Sequence, residues 1–164
     1  IMYYLGEHLA SHGYIVVALD HTEDLDQDKK FGTVGAVACD AEGHLAAATS
    51  TGGMTNKRYG RIGDSPLIGI GTYADDGTCA ISCTGHGEPF IKAVAAYDVA
   101  AQMRYGGLSL EEAANKTVHG RLIELQAEGG LIAVDAKGNI VLPFNAQGMY
   151  RAWRKGSEIE VAIY

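Results

Sequence analysis

The chain reads as an α+β domain, because alternating strand-like runs occupy both ends of the sequence and two helical runs lie between them. Glycine and Asp-Gly punctuation separates these runs. With 47% apolar and 20% charged residues over 164 positions, there is enough apolar content to bury one ordinary core. In chain order, Met2 to His12 spaces its apolar residues for a short amphipathic helix, and Gly13 stops it before a buried strand at Tyr14 to Leu19. Residues 1–22 thus form a helix-strand opening. Residues 23–32 form an acidic linker, with Glu23, Asp24, Asp26 and Asp28 beside Lys29 and Lys30, too polar to bury. Residues 33–164 form the main domain. Its first hairpin pairs Thr33–Cys39 with Leu45–Ser50 around the turn Asp40–His44, and a second pairs Leu67–Tyr73 with Cys79–Cys83 across Asp76-Gly77.

The helical runs follow. Phe90, Ala93, Val94, Tyr97, Val99, Ala101 and Met103 keep a helical period from Glu88 to Tyr105, where Gly106-Gly107 stops it. Ser109 then caps a second helix whose Glu112 completes a capping box, running to about Gln126. Leu131–Val134 and Ile140–Pro143 return to strand character on either side of Asp135–Asn139, and Glu158–Ile163 closes the chain.

Composition excludes several functions. A formal net charge of -7 and the lack of any Lys/Arg cluster interleaved with aromatics argue against a nucleic-acid partner. Cys39, Cys79 and Cys83 form neither a disulfide framework nor a zinc spacing, so reduced core thiols in a cytoplasmic setting are expected. No apolar run reaches the 18 residues of a membrane span, and no membrane association is expected. His8, His12, His21, His44 and His119 lack ligand spacing, so no metal and no cofactor are expected.

The chemistry lies elsewhere. Thr33 follows Gly32 at the mouth of a strand, which is also how an ordinary turn glycine before a β-branched strand residue looks. Cutting the Gly32-Thr33 bond would free an α-amine beside the Thr33 hydroxyl, and an amine of ordinary pKa about 7.7–8.0 suits a base working near neutrality. Three further segments are rich in glycine and hydroxyls: Thr49-Ser50-Thr51-Gly52-Gly53-Met54-Thr55-Asn56-Lys57, Arg61-Ile62-Gly63-Asp64-Ser65-Pro66 and Ser82-Cys83-Thr84-Gly85-His86-Gly87-Glu88.

Together with Gly32-Thr33, these segments resemble the β-subunit of the isoaspartyl peptidase and plant-type L-asparaginase family, threonine-type N-terminal nucleophile hydrolases, from about residue 31 to the end. The resemblance implies an αββα sandwich, of which this chain carries largely the second half. It also implies the roles. Thr33 becomes the nucleophile after self-cleavage at Gly32-Thr33, Thr51 orients it, and Thr84 with Gly85 forms the oxyanion hole. Arg61 and Asp64 grip the α-carboxylate and α-ammonium of an aspartyl substrate, with Gly85 and Gly87 in the substrate-contacting turn. His86 stands where the family more often has a small or hydroxyl residue, and is read as a tuning position. An ordinary strand-end hydroxyl is the other reading of Thr51, and without the family Arg61 and Asp64 equally pair with each other on a loop.

Residues 1–22 depart from this family and weakly resemble an α/β-hydrolase fragment, but no G-x-S-x-G elbow occurs in the chain. The expected activity is hydrolysis of L-asparagine and β-aspartyl dipeptides. The other reading is a truncated, non-catalytic remnant or interaction module. With few residues before Thr33, self-association or a missing α-subunit-like partner is expected to cover the second half of the sandwich.

Overall fold

Two antiparallel sheets organise the molecule. The computed structural model describes residues 32–54 and 56–164, together with the backbone of 15–21. The expected helix at Met2–His12 and the linker up to Phe31 lie outside the described residues, as does Thr55. The strands are β1 (Ile15–His21), β2 (Thr33–Cys39), β3 (Leu45–Thr51), β4 (Thr72–Ala74), β5 (Cys79–Gly85), β6 (Gly129–Asp135), β7 (Ile140–Val141), β8 (Met149–Lys155) and β9 (Glu158–Ala162). They form a five-stranded sheet in the order β3-β2-β1-β8-β9 and a four-stranded sheet in the order β4-β5-β6-β7. β1 is a middle strand, with Ile15–Asp20 registered against Cys39–Val34 and Val16–His21 against Arg154–Met149.

Side-chain parity sets the layers. On β2 the buried positions are Gly35, Val37 and Cys39, and Val37 and Cys39 share a cluster with Ala80, Ile132 and Val134 of the other sheet. The alternate residues of β5 and β6, Cys79, Ile81, Cys83, Leu131 and Ala133, pack instead against helical residues. The four-stranded sheet is therefore buried on both faces, which explains why β6 is buried at every position. The helices are α1 (Gly87–Ala93), α2 (Ala95–Gly106), α3 (Leu110–Lys116), a π-turn (Thr117–Arg121) and α4 (Leu122–Glu124). Their contact face is dominated by Ala93, Ala95, Ala96, Ala100, Ala113 and Ala114, small enough to let helix and sheet approach closely, with Phe90, Val99, Leu110, Val118 and Leu122 filling the gaps. The described residues thus stack as sheet, sheet and helices, with an α+β order.

Several elements differ from expectation. The run Glu88–Tyr105 is two helices, broken at Val94 in the left-handed region (φ 50, ψ 48). The loop before β4 causes the break to be tolerated: the Gly69 and Ile70 carbonyls accept the N–H groups of Tyr97 and Ala96, replacing partners that a helix start lacks. The second helix carries the π-turn in its middle and stops at Glu124, while its Ser109–Glu112 capping box is present. The expected strand Leu67–Tyr73 contracts to β4, because Leu67, Ile70 and Gly71 donate their N–H groups to the Asp64 and Leu67 carbonyls in consecutive turns. Gly71 is required there, since a Cβ would lie 2.6 Å from the Asp64 carbonyl. β8 carries no counterpart in the sequence reading; its inward Met149 and Trp153 alternate with Tyr150 and Arg154 around Arg151, and that mixed polarity hides the strand period.

Candidate active site

Two fixed points align the sheets. At one end Leu45 N–H, opening β3, donates to Asp76 Oδ1 at 2.7 Å. Midway, a Cβ on Gly35 would lie 2.0 Å from Ser82 Oγ, and Thr49, the register partner of Gly35, has its Oγ1 2.6 Å from the same Ser82 oxygen. Continuing two residues along each strand on the same face brings Thr33 and Thr51, register partners of one another, toward Thr84. The register thus places the three residues at the same end of the two stacked sheets. Ser82 and Thr49 belong to the layer beneath them; they open two of the glycine- and hydroxyl-rich segments, and their signal for a supporting role is the hydroxyl at alternate positions below Thr84 and Thr51.

Thr84 is fully buried, yet its Oγ1 has no hydrogen-bond partner among the described residues. A buried hydroxyl without a partner is costly and points to a group that completes it. Thr51 Oγ1 accepts the Gly53 N–H at 3.0 Å, closing the chain after β3. Gly85 has φ +148, and a Cβ there would meet the Glu128 carbonyl and the Phe90 ring at 2.6 Å. Only glycine lets β5 end this close to its neighbour.

The charged residues stand beside this cluster. A Cβ on Gly87 would lie 3.2 Å from both Arg61 Nη2 and Asp64 Oδ1, so Gly87 at the start of α1 is the gap into which both side chains fit. Arg61 does not pair with Asp64 as a loop ion pair. Its Nε and Nη2 donate to the two Glu88 carboxylate oxygens at 2.8 and 3.1 Å, a bidentate fork, and no carboxylate among the described residues pairs with Nη1. Glu88 was not singled out from sequence, although its place one residue after Gly87 and in the first turn of α1 was a usable signal. The Arg61 fork holds the Glu88 carboxyl below its ordinary range.

Asp64 is buried, with 5% exposure, and its Oδ2 has no partner among the described residues. Burial pushes its carboxyl up, only partly opposed by its own and the Ser65 backbone N–H groups and by Arg61. The Gly71 carbonyl ties this loop to the hydroxyl cluster, accepting the Cys83 N–H and the Thr49 hydroxyl. Asp64 also helps burial raise the Cys83 thiol. His86 is exposed and occupies the N-cap position of α1, where its proximity helps to lower Glu88. Gly32 immediately precedes β2 and is half-buried.

The remaining polar groups lie away from this end. A cavity of about 710 Å³ opens at the opposite end, lined by residues including Asp76, Met103, Asp135 and Lys137. Asp40, Glu42 and His44 cluster in the β2–β3 turn, but Asp40 is already engaged there by the Glu42 and His44 N–H groups and the His44 ring. Cys39, Cys79 and Cys83 are unpaired and buried, and burial pushes the Cys79 thiol up to about 12. No described helix is long and apolar enough to cross a membrane.

Comparison with known proteins bears on this arrangement. A family profile described as Asparaginase matches residues 8–163. The chain is 60% identical over 146 residues to the isoaspartyl peptidase of Escherichia coli (strain K12), covering 88% of this chain and 46% of that protein. It is 43% identical over 133 residues to the isoaspartyl peptidase/L-asparaginase of Xenopus laevis, covering 81% and 43%. With that of Mus musculus it shares 42% over 141 residues, covering 86% and 43%. The chain spans less than half the length of these relatives.

Proposed function

This chain belongs to the asparaginase family that includes the isoaspartyl peptidases, and on that premise we propose that it hydrolyses L-asparagine and β-aspartyl dipeptides with Thr33 as an N-terminal nucleophile. Cleavage at Gly32-Thr33 frees the Thr33 amine. That amine takes the proton of its own Oγ as the oxygen attacks the side-chain amide carbonyl of the substrate. The Thr84 hydroxyl and the Gly85 N–H stabilise the oxyanion of the tetrahedral intermediate, and Thr51 orients the nucleophile. The proton passes to the leaving nitrogen, which departs as ammonia or as an amino acid. Water then hydrolyses the β-aspartyl-threonine ester, releasing aspartate and restoring Thr33.

Substrate capture is read as a division of labour. The Nη1 side of Arg61 takes the α-carboxylate, and Asp64 Oδ2, without a partner among the described residues, takes the α-ammonium, with Gly87 leaving room for both. The observation that carries the reading is that two buried oxygens, Asp64 Oδ2 and Thr84 Oγ1, have no partner among the described residues, at the end of the sheets where Thr33 and Thr51 are register partners. One suits an ammonium and the other a developing negative charge.

The wider architecture is part of the proposal. Tyr150, Ile159 and Val161 are exposed on the outward face of the five-stranded sheet, which supports an αββα sandwich whose fourth layer comes from self-association or an α-subunit-like partner. The unpaired buried thiols support a reducing, cytoplasmic setting. Intact-mass analysis with an ammonia-release assay on asparagine tests the function. Division of the 17.3 kDa chain before Thr33 with ammonia release, both lost in Thr33→Ala, is expected. A persistent single species without release would favour a non-catalytic remnant.

A further inference from the structure

Asn145 lies in the chain between β7 and β8 and uses its whole amide. Its Nδ2 donates to the Val118 carbonyl at 3.2 Å and to the Ala127 carbonyl at 2.9 Å. Its Oδ1 accepts the Gly129 N–H at 2.8 Å, and its own N–H donates back to the Gly129 carbonyl at 2.9 Å. One side chain therefore joins the helical layer to the first residue of β6. Both amide protons and the carbonyl oxygen are satisfied, an arrangement that fixes its rotamer.

The π-turn is the other half of this device. In an α-helix the Leu122 N–H would take the Val118 carbonyl; here it takes the Thr117 carbonyl, one residue further back. That widening frees the Val118 oxygen, and Asn145 Nδ2 occupies it. A side chain inserted into the helical ladder is a recognised cause of such a bulge.

What Asn145 holds is the wall behind the site. Gly129 is the register partner of Gly85. A Cβ on Gly129 would lie 2.3 Å from the Thr84 carbonyl oxygen and 2.9 Å from Gly85 Cα, and one on Gly85 would lie 2.6 Å from the Glu128 carbonyl. With contacts this close, a shift of the Glu128–Gly129 backbone transmits to Thr84 and Gly85 without slack. We propose that Asn145, locked by the π-turn, is a positioning residue that sets the oxyanion donors Thr84 and Gly85 by fixing Gly129. This rests on the reading of Thr84 and Gly85 given above.

The role separates from substrate capture, because Arg61 and Asp64 are held by Glu88 and by the loop before β4, not by Asn145. In the mature protein, Asn145→Asp keeps an acceptor for the Gly129 N–H but loses both donors, and Asn145→Ala loses all three bonds. In each folded variant kcat is expected to fall by about 10- to 100-fold, as for a misplaced catalytic group. KM and the affinity for L-aspartate are expected to stay within about threefold, since oxyanion contacts act in the transition state. Hydrogen exchange at the Gly129 and Gly85 amides is expected to quicken. A folded Asn145→Asp with wild-type kcat, or a kcat and aspartate affinity that decline together with the folded fraction, overturns the proposal. A wild-type protein that binds L-aspartate but shows no coupling of Gly85 exchange to Asn145 also overturns it. A wild type that neither turns over nor binds L-aspartate overturns the functional reading itself, and the positioning role with it.

Discussion

The two ends of the sandwich treat their aspartates in opposite ways. At the end carrying the β2–β3, β4–β5 and β6–β7 turns, the turn aspartates Asp40, Asp75 and Asp135 each accept a backbone N–H from their own loop, and Asp76 accepts the Leu45 N–H of β3. Asp40 accepts from Glu42, His44 and the His44 ring, Asp75 from Gly77, Tyr73 and Arg104, and Asp135 from Lys137 and twice from Asn139. At the Thr33 end, Asp64 is buried with one oxygen left over. The same side chain acts as a turn-builder in one place and is left incomplete in the other. Completeness of hydrogen bonding is thus what separates the turn carboxylates from Asp64, to which the proposed function gives a ligand.

The sharpest way to break this contrast is Arg61→Ala. Losing the charged fork should weaken L-aspartate binding by about 100-fold, the worth of roughly two charge-assisted hydrogen bonds. Self-cleavage at Gly32-Thr33 should change little, and calorimetry with intact-mass kinetics separates the two; equal damage to both would remove Arg61 from the capture role. At the opposite end, Asp135→Ala should cost about 1–3 kcal/mol of stability through its orphaned turn donors. Denaturant unfolding should record that loss while aspartate affinity stays unchanged.

Acid titration sharpens the comparison through its sign. Burial raises the Asp64 carboxyl above its ordinary 3.8, so the native state holds that proton longer than the unfolded chain. Its contribution to stability is present below 3.8 and is lost as pH rises through the raised native value. Asp64→Asn should therefore match wild type in stability below pH about 3 and exceed it near neutrality, while binding aspartate less well. Asp40 and Asp75 are lowered, chiefly by backbone hydrogen bonds from His44 and Gly77 respectively. Their contributions are present above 3.8 and fade as pH falls through the lowered native values. Thermal unfolding of wild type and Asp64→Asn across this range would show whether the two ends respond oppositely. The smallest effect is expected for Ser109→Ala, which removes the capping box far from the site at about 1 kcal/mol, with kinetics unchanged.

Legibility followed the range of the interactions. The β2–β3 hairpin, the Asp135–Asn139 turn and the Ser109–Glu112 cap are written in neighbouring residues and matched the structure. The break at Val94 was hidden, because its stabilising carbonyls come from Gly69 and Ile70, distant in the chain. The π-turn was hidden for the same reason, since its freed carbonyl is claimed by Asn145. Of the candidate site, the glycine- and hydroxyl-rich segments were legible as motifs. The supporting roles of Glu88 and Ser82, at the ends of one such segment, and of Asn145 outside them were not, because each acts by holding another residue in place, and such support leaves no pattern in a single sequence.

The central place of β1 bears on what the proposed cleavage would do to the sheet. Its backbone is registered against β2 on one edge and β8 on the other, so scission at Gly32-Thr33 would cut the covalent thread between β1 and β2 without unzipping either ladder. The released piece would stay as a non-covalent staple at the heart of the sheet. Size-exclusion chromatography should then elute one particle from a sample that a denaturing gel resolves into two bands.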